Sequence, residues 1–276
     1  MAIKVAIIGL GIMGRRMLSH MRRHNNFEPD YLWDPNQSAC QRAKLLDSKS
    51  YIMDSASDAI SKADLVYLAC PPAVREPYAL EAAAAGKALF LEKPFGVNID
   101  DSARMMGRLK SFDVPVAVNF TQASGIALTD LLAAKKRGDM GDLLGVDIVV
   151  TYPDWPRLWQ RDADWLRFRA EGGMTREVIS HFLFFSERVL GPLSLLSAHT
   201  TYPEDLSLCE TAVLARLVSE KKQEVSILAT VGGAQPDRQE LTVKGTKTSR
   251  RVIDFHRDSI SCGRDFTSLR KQPEDA

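Results

Sequence analysis

Gly9-Leu10-Gly11-Ile12-Met13-Gly14 follows the apolar run Ala2 to Ile8 without a break. Three glycines at this spacing, entering a helix, suit a backbone that has to turn tightly and admit an anion. Gly9 permits the turn, Gly11 lets a pyrophosphate approach main-chain N–H groups, and Gly14 lets the helix pack closely on the strand. Ile12 and Met13 lie in the same loop and count with the glycines as candidate cofactor contacts. The first N–H groups of the helix add partial positive charge for the phosphates. Asp34 closes the run Tyr31-Leu32-Trp33, twenty residues after Gly14. Its carboxylate can accept hydrogen bonds from a ribose diol and would repel a 2′-phosphate. The expected cofactor is NAD; Arg15 and Arg16 keep NADP open.

A second group centres on Lys93, just after the apolar run Ala88 to Leu91. Ligands of open α/β sheets bind beyond the C-terminal ends of the strands, so an ammonium there can reach a nicotinamide and a substrate oxygen. The third group is Glu177 and His181, four residues apart in one predicted helix, Met174 to Leu190. On one face of a helix, a carboxylate can orient an imidazole, fix its tautomer and stabilise the imidazolium of a general base. The same spacing also fits an ordinary exposed pair. Before that helix runs a segment rich in Trp and Arg, Tyr152 to Arg169. Its Trp155, Arg157 and Trp165 suit a ligand with C–H-rich faces and hydroxyl or anionic groups, such as a sugar or hydroxy acid, and equally an oligomer contact.

The elements that must position these residues follow from the hydrophobic pattern. Through residue 120, short apolar runs alternate with helical stretches: Lys4 to Ile8 then Met13 to His24, Asp64 to Cys70 then Val74 to Ala85, Ala88 to Leu91, and Val114 to Phe120. Such alternation predicts βαβ units and a parallel sheet buried on both faces. Gly86 ends one helix, and Asn98 with Asp100 and Asp101 opens another. Past residue 120, a helix from Ala127 to Arg137, closed by Gly138, gives way to strand-rich runs at 145–152, 193–202, 211–219, 224–231 and 240–243. Short polar turns such as Glu220-Lys221-Lys222 make that sheet mainly antiparallel. The expected class is α/β: residues 1–120 form a Rossmann domain with a doubly wound parallel sheet, and 121–276 an α+β domain for substrate binding and oligomerisation. The charged tail from Ser261 reads as disordered.

Bulk properties exclude several function classes. A formal charge of +1, from 36 basic and 35 acidic residues, offers no field for nucleic acid or an anionic membrane. A small-molecule partner is expected. Cys40, Cys70, Cys209 and Cys262 are too dispersed for a metal knuckle or disulfide framework and read as reduced thiols, and no metal is expected. Neither a long apolar span nor a signal-peptide pattern is evident, so a cytoplasmic location is expected.

The stretch Asp64-Leu-Val-Tyr-Leu-Ala-Cys70-Pro71-Pro72, then Ala82-Ala-Ala-Ala-Gly86-Lys87, then Leu91-Glu92-Lys93-Pro94-Phe95, resembles the glucose-fructose oxidoreductase and inositol dehydrogenase (Gfo/Idh/MocA) family. The likeness extends through Gly138-Asp-Met-Gly141 and Gly172-Gly173 to Glu177-x-x-x-His181. It implies an NAD(P)-dependent enzyme in which Cys70, Pro71, Glu92 and Lys93 contact the cofactor, Lys93 also holds the reacting oxygen, and the Lys93–Pro94 peptide is cis. Lys93, His181 and Glu177 become the candidate catalytic residues, and Asn119, Trp155, Arg157 and Trp165 the candidate substrate contacts. The implied reaction is hydride transfer between nicotinamide and a secondary alcohol or ketone of a sugar, cyclic polyol or related hydroxy compound, in a homo-oligomer, dimer or tetramer. Reduction of a C=N bond or keto acid, and a non-catalytic dinucleotide sensor, stay open. Two residues depart from the family pattern: Glu177 replaces its usual Asp, and Arg75 its usual His.

Overall fold

The computed structural model describes residues 2–270. The chain divides between Asn119 and Phe120 into two compact units. In the first, the strands are β1 (Ile3–Ile8), β2 (Phe27–Trp33), β3 (Tyr51–Ile52), β4 (Leu65–Leu68), β5 (Ala88–Glu92) and β6 (Val116–Asn119). Alternating with them are α1 (Ile12–Arg22), α2 (Gln37–Leu46), α3 (Ala56–Lys62), α4 (Arg75–Ala84) and α5 (Ile99–Lys110). The sheet order is β3-β2-β1-β4-β5-β6 and every pairing is parallel.

The side-chain period of two sorts β1 between two cores. Val5 and Ile7 join Leu18 and Met21 of α1 and Ala39, Cys40 and Ala43 of α2. Ala6 and Ile8 join Ala59 and Ile60 of α3, Ala79 and Ala82 of α4 and Met105 and Leu109 of α5. A sheet covered on both faces needs continuous apolar strands, which is why these runs read as unbroken in the sequence. Gly86 and Gly138 follow their helices with φ of +71° and +76°. Asn98 caps α5, its side chain accepting the N–H groups of Asp100 and Asp101.

The second unit contains α6 (Ile126–Arg137), β7 (Leu143–Tyr152), α7 (Ser180–Leu190), β8 (Leu193–Thr201), β9 (Ala212–Ser219), β10 (Glu224–Val231), β11 (Arg238–Gly245), β12 (Ser249–Ile253), β13 (Arg257–Ser261) and β14 (Thr267–Ser268). They form one sheet, β14-β13-β12-β11-β7-β10-β9-β8, antiparallel except where β10 runs parallel to β7. Leu128 and Leu131 of α6 and Phe182, Phe185 and Val189 of α7 pack with Val146, Ile148 and Val150 of β7 and Val225 and Ile227 of β10.

Two sequence expectations need correction. The stretch from Ser261 is ordered as far as it is described, because β13 pairs with β12 and β14 with β13, and a buried Arg250–Asp258 ion pair spans the β12–β13 hairpin. Residues 271–276 lie outside the described part. The helix expected at Met174 to Leu190 is α-helical only from Ser180, since Thr175–Ile179 is one turn of π-helix.

Candidate active site

The glycine loop has the shape a dinucleotide requires. Gly9 takes φ of +95°, reached cheaply by glycine alone, and its N–H donates to Trp33 O at 2.9 Å. Gly14 lies against that turn: a Cβ there would stand 1.9 Å from Gly9 O. A Cβ on Gly11 would meet nothing within 4 Å among the described residues. The loop is therefore tight against protein at Gly9 and Gly14 and open at Gly11, as an approaching pyrophosphate demands. The first turn of α1 carries no acidic residue to compete for its N–H groups. Asp34 is built into the same loop, accepting Leu10 N–H at 2.6 Å and Asn36 N–H at 2.8 Å. Arg15 donates to Leu10 O at 2.9 Å. These residues fit a dinucleotide. Ile12 and Met13, both half-buried, begin α1 beside them.

At the C-terminal ends of β4, β5 and β6 a buried polar cluster supports Lys93. Glu92, 4% exposed, accepts the Tyr67 phenol and the Asn119 amide, the latter at 2.7 Å. Burial, then the Glu92 charge, pushes the Tyr67 hydroxyl well above its ordinary value, so the phenol remains a donor. Arg75, 2% exposed, donates to the carbonyls of Glu92 and Pro94, and to that of Cys70 at 2.7 Å. Lys93 and Pro94 are half-buried and joined by a cis peptide, the isomer the resemblance implies. Burial also raises the Cys70 thiol, with Arg75 opposing it, so the thiol stays protonated. Asn119 is thus engaged with Glu92, a contact its sequence position did not announce.

In the second unit the Trp- and Arg-rich segment folds over the π-turn. Trp155 donates its indole N–H to Leu166 O at 2.9 Å and packs against the core, and Trp155–Pro156 is cis. Arg157 lies over the rings of Tyr152 and Trp159, at 5.0 and 4.7 Å, and donates Nε–H to Gln160 Oε1 at 2.9 Å. Gln160, 2% exposed, in turn donates to Glu177 Oε1 at 3.4 Å. Trp165 is half-buried in a 3₁₀ turn. His181 is buried, with Phe120 edge-on at 5.8 Å and Phe255 tilted at 5.4 Å. Because Glu177 stands in a π-turn, four-residue spacing no longer fixes both side chains on one α-helical face; such turns recur at functional sites.

Sequence reasoning missed three residues here. Arg75 was visible only as a departure from a family position. Tyr67, in the apolar run of β4, looked like ordinary core. Gln160 gave no signal at all. Among the described residues, no group of three His, Cys, Asp or Glu could hold a metal, and no helix is long and apolar enough to cross a membrane.

Residues 3–120 match the family model described as oxidoreductase family, NAD-binding Rossmann fold, Gfo/Idh/MocA. The N-terminal unit belongs to the Gfo/Idh/MocA oxidoreductases. A curated relative, dTDP-3,4-didehydro-2,6-dideoxy-alpha-D-glucose 3-reductase of Streptomyces violaceoruber, is 28% identical over 130 residues, 46% of this chain and 36% of the relative. The match thus spans about a third of that reductase. Among solved structures, the WlbA dehydrogenase of Bordetella pertussis in complex with NADH and UDP-GlcNAcA has a TM-score of 0.83 at 21% identity, covering 100% of this chain and 84% of that one. Myo-inositol 2-dehydrogenase of Lactobacillus plantarum has a TM-score of 0.80 at 17% identity, covering 91% and 76%. At these identities the structures establish a shared fold.

Proposed function

We propose that this chain is an NAD-dependent oxidoreductase that moves a hydride between nicotinamide and a secondary alcohol or its ketone, on a sugar, cyclic polyol or related hydroxy compound. One observation carries the reading: a single unit joins a dinucleotide cradle, open at Gly11, to the Glu92-Lys93-Pro94 turn at the end of β5. Bound NAD supplies the hydride acceptor. The chain's own residues do the rest. Asp34 selects the ribose diol. Lys93 donates to the substrate oxygen and stabilises charge that develops on it. His181 takes the hydroxyl proton during oxidation and returns it during reduction, and Glu177, held by Gln160, orients it. Asn119, Trp155, Arg157 and Trp165 help to shape the substrate site.

The substrate class rests on the named relatives, a reductase of a dTDP-linked deoxysugar and a dehydrogenase of myo-inositol, and on a neighbour bound to UDP-GlcNAcA. A second copy of the chain is the proposed protein partner. Leu214 and Leu228, paired across β9 and β10, stand 52% and 43% exposed, and light scattering reads the resulting dimer or tetramer.

The test is a panel of free sugars, nucleotide sugars and inositols with NAD, and of the matching ketones with NADH, followed by the absorbance of reduced nicotinamide. Turnover of a member of this class is the expected result. Tight NAD binding with no turnover on these, on keto acids or on imines would replace the enzyme with a dinucleotide sensor.

A further inference from the structure

Arg75 stands against three preferences of a stable fold. It is 2% exposed, and removing a charge from water costs several kcal/mol unless well compensated. It opens α4, where the helix dipole disfavours a cation. Among the described residues its buried Nε–H meets no acceptor, and an unmade bond of that kind costs about 1–3 kcal/mol. Residues that break several local rules at once are found where function overrides stability.

Its other donors show what is gained. Nη2 donates to Cys70 O at 2.7 Å, in the turn that follows β4. Nη1 donates to the carbonyls of Glu92 and Pro94, with Phe95 O at 3.5 Å, in the turn that follows β5. One planar fork thus ties two neighbouring turns together, with the carbonyls of the residues before and after Lys93 among its acceptors. A lysine ammonium is a point donor and cannot reproduce a fixed fork.

We propose that Arg75 is the positioning residue of the nicotinamide end of the cofactor site, holding the Cys70 and Lys93 turns in register so that Lys93 is presented to the reacting oxygen. The inference rests on the dinucleotide-binding reading above. As a positioning residue, Arg75 acts through the carbonyls it binds. The adenosine end is built from Gly9 to Gly14 and Asp34, and the acceptors of Arg75 lie outside those residues.

The experiment compares wild type with Arg75→Met, which keeps an apolar stem, and Arg75→Lys, which keeps the charge. ADP-ribose, lacking nicotinamide, is titrated beside NADH, with nicotinamide fluorescence and thermal melting recorded. Arg75→Lys is expected to melt near wild type, and both variants to bind ADP-ribose within about twofold of it. Each should lose the extra affinity and fluorescence enhancement that nicotinamide brings in the wild type. Turnover, where a substrate is in hand, should fall by about 10²-fold, the loss that misplacing a positioned group by about 1 Å produces. Wild-type fluorescence and affinity in Arg75→Lys would overturn the fork and leave only a charge. A parallel fall of ADP-ribose and NADH affinity together with melting temperature would overturn positioning in favour of plain stability. Wild type binding neither ligand would defeat the dinucleotide reading itself, and the inference with it. The binding arm decides without a substrate.

Discussion

Asp34 accepts the main-chain N–H of Leu10 at 2.6 Å, so the carboxylate at the end of β2 is part of the glycine loop. An acid that shapes the loop and faces a ribose diol should discriminate against a 2′-phosphate. Wild type is expected to bind NAD more tightly than NADP. Asp34→Ala should lower NAD affinity by about tenfold or more, since hydrogen bonds to a charged group contribute about 1.5–3 kcal/mol, and should erase the preference. Calorimetric titration of both dinucleotides checks this, and a clear wild-type preference for NADP would transfer the ribose role to Arg15 or Arg16.

Gly11 and Gly14 make a matched pair of tests. A Cβ on Gly14 would stand 1.9 Å from Gly9 O, so Gly14→Ala forces the backbone apart, costing about 1–3 kcal/mol in stability. A Cβ on Gly11 meets nothing within 4 Å, so Gly11→Ala should leave the unliganded protein within about 0.5 kcal/mol of wild type. Both should weaken NAD binding, the second by occupying the space where the pyrophosphate approaches. Equal melting temperatures for the two variants, or undiminished NAD affinity in Gly11→Ala, would contradict the cradle.

Lys93→Ala should retain NAD affinity within a small factor and lower turnover by about 10²-fold or more, as expected when one preorganised donor to a developing oxyanion is removed. Steady-state kinetics on the best substrate of the panel decide it. Near-normal kcat would remove Lys93 from the chemistry and leave it a contact of the cofactor alone.

How legible this was depends on whether the deciding contact is local. β1, the glycine loop and Asp34 could be read because strand, turn and helix are consecutive and every residue answers to one backbone requirement. α2 and α3 leave little trace in the sequence, although Asn36 and Ser55 cap them, because their apolar faces are mostly alanine and give weak periodicity. β12 and β13 are hidden in the sequence by their charge: Arg250 and Asp258 look like surface residues until the hairpin pairs them in a buried bridge. The Lys93 turn could be located, but its support could not. Tyr67, Arg75 and Asn119 reach Glu92 or its neighbours from 17 to 27 residues away in the chain, a relationship no spacing rule encodes. The π-turn at Thr175–Ile179 was invisible because its residue pattern continues that of α7.

That π-turn leaves the placement of Glu177 to contacts from outside its own helix. Glu177 Oε1 accepts from Gln160, which accepts from Arg157, so the carboxylate is held by a side-chain relay from the preceding segment. If this relay orients a general base, His181→Ala should lower the rate by about 10² to 10⁴, the usual contribution of a positioned proton acceptor. Glu177→Gln should do less harm, because an amide can still hold the ring although it no longer stabilises the imidazolium. Glu177→Asp restores the residue usual in the family but withdraws the carboxylate from Gln160, so activity should fall. Gln160→Leu should lower the rate without altering NAD affinity, since it removes one hydrogen bond that places the Glu177 carboxylate. The pH profile of kcat/KM for alcohol oxidation separates these roles from mere packing: its acidic limb, which reports imidazole protonation in the free enzyme, should vanish in His181→Ala and survive in Gln160→Leu. A gain of activity in Glu177→Asp would show that the family geometry, not the relay through Gln160, is what the site prefers. An unchanged rate and limb in His181→Ala would return the histidine to its aromatic neighbours Phe120 and Phe255 as a core residue and leave proton movement to Lys93 or water.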